Sequence, residues 1–136
     1  MTATTARANI ESAARVIEFT SPMLGLAPYT TFTLESIEGA DGLYALRATD
    51  AEVRLFVVEA PFVDRAYAPK VPASVRAEIG ASSDDALRML VVANPGDEGV
   101  HVNLRAPIIV HPGNGRAVQV ILEDQTYPIR SLLGGR

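Results

Sequence analysis

Residues 31–48 read Thr31-Phe32-Thr33-Leu34-Glu35-Ser36-Ile37-Glu38-Gly39-Ala40-Asp41-Gly42-Leu43-Tyr44-Ala45-Leu46-Arg47-Ala48, and the fold class turns on them. Thr31, Thr33 and Glu35 alternate with Phe32 and Leu34. Successive side chains of a strand point to opposite faces, so a period of two marks a half-buried strand. Glu38 to Gly42 supplies turn chemistry, because glycine tolerates positive φ and aspartate bonds its own backbone. Leu43 to Ala48 resumes as a strand, with Leu43, Ala45 and Arg47 on one face and Tyr44, Leu46 and Ala48 on the other. A hairpin is the simplest join.

The same grammar extends in both directions. Val16 to Phe19 is a short strand ended by Thr20-Ser21-Pro22, and the apolar Met23 to Pro28, punctuated by Gly25 and Pro28, reads as a packed loop. Val53 to Val58 is apolar except for Arg54 and reads as a central strand covered on both faces. Ala60-Pro61-Phe62 ends it, since proline cannot donate to a ladder. One short helix is predicted near 72–80: Val71, Val75 and Ile79 recur at helical spacing, Pro72 suits the start and Gly80 the stop. Ala86 to Ala93 is a strand and Asn94 to Gly99 a loop. Val100, Val102 and Leu104 alternate with His101, Asn103 and Arg105, which gives His101 the solvent-facing parity. Ile108 to Val110 continues after a bend at Pro107. Pro112 to Arg116 is a turn, and Ala117 to Leu122 pairs back.

These elements predict a mostly β chain of about seven or eight short strands with one short helix, either an antiparallel sandwich or a closed barrel. Its length of 136 residues fits one domain. Residues 1–9 read as a loose arm, 10–133 as the domain and 134–136 as a tail that frays unless docked. Apolar residues make up 48% of the chain, enough for a folded core. With no cysteine, disulfides and thiolate metal sites are excluded. No run approaches the roughly 18 apolar residues of a membrane span, and Met1 to Ile10 lacks the apolar region of a secretory signal. A cytoplasmic location and no membrane partner are expected.

The net charge is −4, and Lys70 is the only lysine beside eleven scattered arginines. Nucleic-acid binders gather a basic patch, so no direct nucleic-acid binding is expected. A basic protein partner suits the charge. Catalytic constellations are missing from the sequence. There is no Gly-x-Ser-x-Gly elbow. The acid pairs Asp84-Asp85, Asp97-Glu98 and Glu123-Asp124 are neighbours that strand geometry sends to opposite faces. Gly113-x-Gly115 runs between strands, whereas a phosphate loop opens a helix. His101 and His111, on one bent strand, can share a side, but a metal centre needs a third ligand. Neither a catalytic residue, a metal nor a cofactor is expected.

Val102-Asn103-Leu104-Arg105-Ala106-Pro107-Ile108-Ile109-Val110 and Gln119-Val120-Ile121-Leu122-Glu123-Asp124-Gln125-Thr126-Tyr127-Pro128-Ile129-Arg130 together resemble the C-terminal half of the flagellar assembly factor FliW family. That pattern is an Asn-Leu-x-Ala-Pro-Ile run, a turn, a Gln-Val-Ile-Leu strand, then Tyr-x-x-Arg. Leu55-Phe56-Val57-Val58, Pro61-Phe62 and Tyr67 resemble the family's middle section. Leu46-Arg47-Ala48 stands where Leu-Gln-Ser is common. Ile17-Glu18-Phe19 and Leu24-Gly25-Leu26 resemble its start more loosely, Leu26 replacing an aromatic.

The resemblance covers residues 16 to 133. It implies a non-enzymatic cytoplasmic regulator and chaperone that binds flagellin and also CsrA, an RNA-binding repressor of flagellin translation. Export of flagellin frees the factor to bind CsrA and lift repression. An RNA-binding partner must be basic, which suits the acidic chain; docking beside its RNA surface would put negative charge where phosphates sit. The partner-binding surface is placed at Phe62, Asp64 and Tyr67, with Asn103, Glu123, Asp124 and Tyr127. The rival from another class is a small β-barrel ligand-binding protein or hydrolase with a pocket at His101 and His111. Converging titratable groups would mark it.

Overall fold

The computed structural model describes residues 14–40, 42–63, 67–122, 127–128 and 130–132. The elements run β1 (Ala14–Phe19), β2 (Thr31–Ser36), β3 (Leu43–Ala48), β4 (Arg54–Glu59), α1 (Ala60–Val63), α2 (Ala73–Glu78), β5 (Arg88–Gly96), β6 (Gly99–Val102), β7 (Ile108–His111), β8 (Arg116–Gln119) and β9 (Ser131–Leu132). The predicted hairpin forms with Phe32 opposite Ala48 and Leu34 opposite Leu46. Antiparallel pairing carries on from β1 to β5, and β5 passes to β7 and β7 to β8. Strand β8 then meets β1 in parallel, at Glu18 with Arg116 and Phe19 with Ala117, and closes a seven-stranded barrel. Closure removes the sheet edges that a sandwich would leave open.

Alternation fills the inside. Ile17, Phe19, Phe32, Leu34, Leu46, Ala48, Val57, Leu90, Ile108, Val110 and Ala117 form one buried cluster. Phe19 meets Phe32 edge-on with centroids 5.5 Å apart. Each large side chain so buried stabilises by roughly 1.5–3 kcal/mol. Two smaller clusters cover the outside. Val58, Val91, Ala93, Val102 and Leu104 gather around Tyr67. Ile109 and Val118 pack under Ile79, with Val71 and Val75 beside it. Strand β4 thus buries both faces, Val57 inward and Val58 outward, as its apolar run predicts.

Helix α2 ends in a Schellman pair: Gly80 N–H donates to Ala77 O and Ala81 N–H to Arg76 O. Gly80 holds φ +76 there, a conformation that favours glycine. The single predicted helix is joined by a second, the one-turn α1. Pro61 does stop the ladder, but at a first-turn position it also suits a helix start.

The predicted loop at Asn94 to Gly99 is mostly strand. β5 runs on to Gly96, which pairs with Gly99, so Asp97 and Glu98 alone make the turn. β6 and β7 lie along the same edge of β5, separated by Asn103 to Pro107. Between Ala93↔Val102 and Leu90↔Ile108, three steps on β5 are matched by six on the other strand. Three residues are therefore extra. An odd excess reverses side-chain parity, so the two halves of this bent strand present opposite phases. Pro107 sits in the bulge, where a missing N–H costs no ladder bond. The chain is docked as far as Leu132, where β9 pairs with β6. The 1–9 arm and the 134–136 tail lie outside the described residues. Among the described residues, no helix is long and apolar enough to cross a membrane.

Candidate partner-binding surface

The bulge is the most heavily tied irregular segment among the described residues. Asn103 N–H donates to Val92 O, Leu104 N–H to Pro128 O, Val120 N–H to Pro107 O and Leu122 N–H to Arg105 O. Asn103 Oδ1 accepts from Arg105 N–H at 3.0 Å, an Asx turn that bends the backbone locally. Arg105 Nε donates to Tyr127 O at 2.9 Å. The Tyr67 hydroxyl donates to Leu104 O at 2.5 Å, and its ring meets Tyr127 edge-on at 4.8 Å. Burial, reinforced by Tyr127 beside it, pushes the Tyr67 phenol above its ordinary value.

The predicted surface residues divide accordingly. Tyr67 is buried and half-buried Tyr127 packs against it, so the pair holds the bulge from below and Tyr67 offers no face to a partner. Asn103 is half-buried and fixes the turn, and its amide nitrogen has no partner among the described residues. Phe62 is 61% exposed, with its ring laid over Gly42: a Cβ there would come within 2.7 Å of it. Gly42 also holds φ +81. Asp64, Glu123 and Asp124 lie outside the described residues.

Beside the bulge opens a groove of about 260 Å³ at one mouth of the barrel. Buried Met23 and Ala106 and half-buried Leu26, Leu55 and Val92 give it apolar walls. Leu24 stands 74% exposed at its edge. Asn94, Asn103 and Gln119 supply the polar groups. The loop that carries Met23 and Leu24 is anchored by Leu26 N–H to Met23 O, Tyr29 N–H to Leu26 O, and Leu24 N–H to Gln119 Oε1. Sequence reading finds Asn103 but misses Leu24, Asn94 and Gln119. Leu24 lies in a segment that reads as a packed loop and resembles the family only loosely. Asn94 has the composition of a turn, and Gln119 enters only as the head of a strand motif.

The histidines do not converge. His101 is only 8% exposed, against the solvent-facing parity expected of it, with Nε2 3.7 Å from Glu98 Oε1. It pairs with Asn94 on one side and Leu132 on the other, so β9 covers it. His111 lies on the other side of the bulge, Nε2 3.0 Å from Asp85 Oδ2. The three extra residues put the two rings on opposite faces, which removes the pocket that the ligand-binding or hydrolase alternative requires. The Asp85 carboxyl is held below its ordinary value by the Ser82 N–H, then by His111. Among the described residues, no three His, Asp or Glu side chains gather at a metal-sized site.

The barrel has a counterpart among solved structures. The chain superposes on the crystal structure of the flagellar assembly factor FliW with a TM-score of 0.79, over 86% of this chain and 84% of that one, at 17% identity. The FliW protein family model matches residues 2–133. The chain belongs to the FliW family. Flagellar assembly factor FliW of Thermotoga maritima is 39% identical over 93 residues, 66% of this chain. This chain spans 62% of that relative's length. Flagellar assembly factor FliW 2 of Desulfotalea psychrophila is 30% identical over 123 residues, covering 88% of this chain and 81% of its own. The FliW motif expected from sequence, Asn103 to Ile108, is the bulge and the start of β7. The loose Leu24-Gly25-Leu26 match forms the facing groove wall.

Proposed function

We propose that the chain is a cytoplasmic flagellar assembly factor that acts by binding and not by catalysis. It holds flagellin, and when flagellin is exported it binds the translational repressor CsrA and relieves repression of flagellin synthesis. The observation that carries this reading is the bulge. Asn103 to Pro107, the head of the FliW-like run, lie outside the interior cluster and build a hydrogen-bonded rim beside an open groove. Rigid presentation of an open apolar surface lowers the ordering cost of binding a second protein. The overall negative charge supports an encounter with a basic RNA-binding protein.

Calorimetric titration of the purified chain against flagellin and, separately, against CsrA tests the reading. Saturable binding to both is expected, with the CsrA affinity falling as salt rises. Absence of binding to either at tens of micromolar overturns the function while leaving the fold assignment intact.

A further inference from the structure

Gln119 reaches both walls of the groove. On β8, Ala117 belongs to the interior cluster and Val118 to an outer one. Gln119 therefore carries the inward parity and places a half-buried carboxamide in the open mouth of the barrel. Its oxygen accepts from Leu24 N–H at 3.1 Å, and its Nε2 donates to Ala106 O at a longer 3.4 Å. A backbone N–H can only donate and a carbonyl only accept, so the oxygen must face Leu24 and the nitrogen Ala106. One side chain thus joins the loop after β1 to the bulge.

The two walls are held very differently. Ala106 sits in the bulge, where Leu104 N–H bonds Pro128 O, Arg105 O accepts from Leu122 N–H and Pro107 O from Val120 N–H. The loop is closed at its base by Phe19 N–H to Thr30 O and Thr20 N–H to Ala117 O. Above that base, Leu26 N–H to Met23 O and Tyr29 N–H to Leu26 O tie the loop only to itself. Among the described residues, the bond from Leu24 to Gln119 is the one hydrogen bond that runs from residues 21–29 to another element. Met23 is buried, but Leu24 is 74% exposed, so burial does not fix the loop where the groove begins.

We propose that Gln119 is the positioning residue of the partner-binding surface: its carboxamide passes the rigidity of the bulge to the Leu24 loop and so sets the spacing of the groove walls. This role rests on the function proposed above, which makes the bulge and its groove the surface that partners meet. A surface that holds its binding geometry only part of the time binds in proportion to that fraction.

Gln119→Met keeps the length of the side chain and removes the carboxamide. Gln119→Asn keeps the carboxamide but is one methylene too short to span the walls. Both full-length variants are compared with the wild type by amide hydrogen exchange, thermal unfolding and calorimetric titration against flagellin and, separately, CsrA. The Leu24 amide loses its acceptor directly. The Leu26 amide keeps Met23 O, so its exchange reports movement of the loop itself.

In both variants, exchange at Leu24 and Leu26 should accelerate at least about fivefold, while Leu46 in the far wall stays at wild type. Tm should fall by no more than about 4 °C, because the exposed Leu24 N–H turns to water. Affinity for each partner that the wild type binds should drop about three- to tenfold. Unchanged exchange at Leu26 in both variants overturns the coupling. A faster loop with unchanged affinity overturns the positioning role while the function stands. Loss of protection at Leu46 alongside the loss of affinity also overturns it, since Gln119 would then be holding the whole barrel. A wild-type chain that binds neither partner overturns the function, and the positioning role with it.

Discussion

The two ends of the barrel are made from the same strands and finish in opposite ways. At one end, β3 begins, β4 stops and β5 begins, and the inward side chains there are Tyr44, Glu59 and Arg88. Arg88 bonds Glu59, the Tyr44 hydroxyl donates to Glu59 at 3.3 Å, and the guanidinium lies over the Tyr44 ring at 5.2 Å. Burial, then the nearby Glu59 charge, pushes the Tyr44 phenol above its ordinary value. That end is closed by groups that satisfy one another. At the other end the loop after β1 and the bulge leave a groove whose Asn94 and Asn103 amide donors have no partner among the described residues. Satisfied polar groups stop a barrel; unsatisfied ones at an open apolar surface mark where it expects company.

The contrast is best broken by removing what both ends share. Phe32→Ala, at the centre of the interior cluster, should cost about 3–5 kcal/mol through lost burial and the cavity left behind. Urea unfolding measures it. A cost under about 1 kcal/mol would mean the interior collapses to fill the gap, contrary to the close packing expected of such a core.

Glu59→Gln tests the closed end. Both side chains of the ion pair are about one-fifth exposed, and the change leaves Arg88 without its counterion. A loss of about 1.5–3 kcal/mol is expected for a charge-assisted hydrogen bond in this setting. By contrast, Leu24→Ser at the open end should shift stability by no more than about 0.5 kcal/mol, as surface substitutions do. If the two variants cost the same, the ends do not differ in how far their polar groups satisfy one another.

Tyr67→Phe sharpens the account of the bulge. It deletes the hydroxyl that binds Leu104 O but keeps the ring against Tyr127, so about 1 kcal/mol should be lost. Hydrogen exchange at the amides of Leu104 and Arg105 should accelerate, while that at Leu46 on the far wall stays the same.

Most of the barrel is legible in the sequence because a period of two is a local property. The strands around Phe32, Leu46 and Val118 follow directly from it, and the one around Val57 from its continuous apolar run. The hairpin at Asp97-Glu98 reads too wide because Asn94-Pro95-Gly96 has turn composition, whereas Pro95 is tolerated at the end of the β5–β6 pairing. The histidines mislead for a different reason. Parity can be carried along one strand, but not across a bulge whose size is set by register with β5. The Glu59–Arg88 pair, 29 residues apart, and the meeting of Leu24 with Asn94 and Gln119 depend on closure itself. Asn103 is found by motif, but its chemistry follows only from the structure, where its oxygen is committed to Arg105.

The smallest effect concerns the link between the turn after α2 and the β7–β8 hairpin. Asp85 accepts from Ser82 N–H at 2.8 Å and meets His111 at 3.0 Å, and both contacts favour its carboxylate. Its folded pKa is therefore lowered from 3.8. A lowered carboxylate contributes stability that is fully present above the unfolded value and is lost as pH falls through the folded one. At pH 7 the wild type should be the more stable of the pair formed with Asp85→Asn, and the gap should narrow only below about pH 4. Urea midpoints across pH 2–7 measure it. A gap that does not narrow below about pH 4 would show that the contacts to the Ser82 N–H and to His111 do not favour this carboxylate in the folded chain.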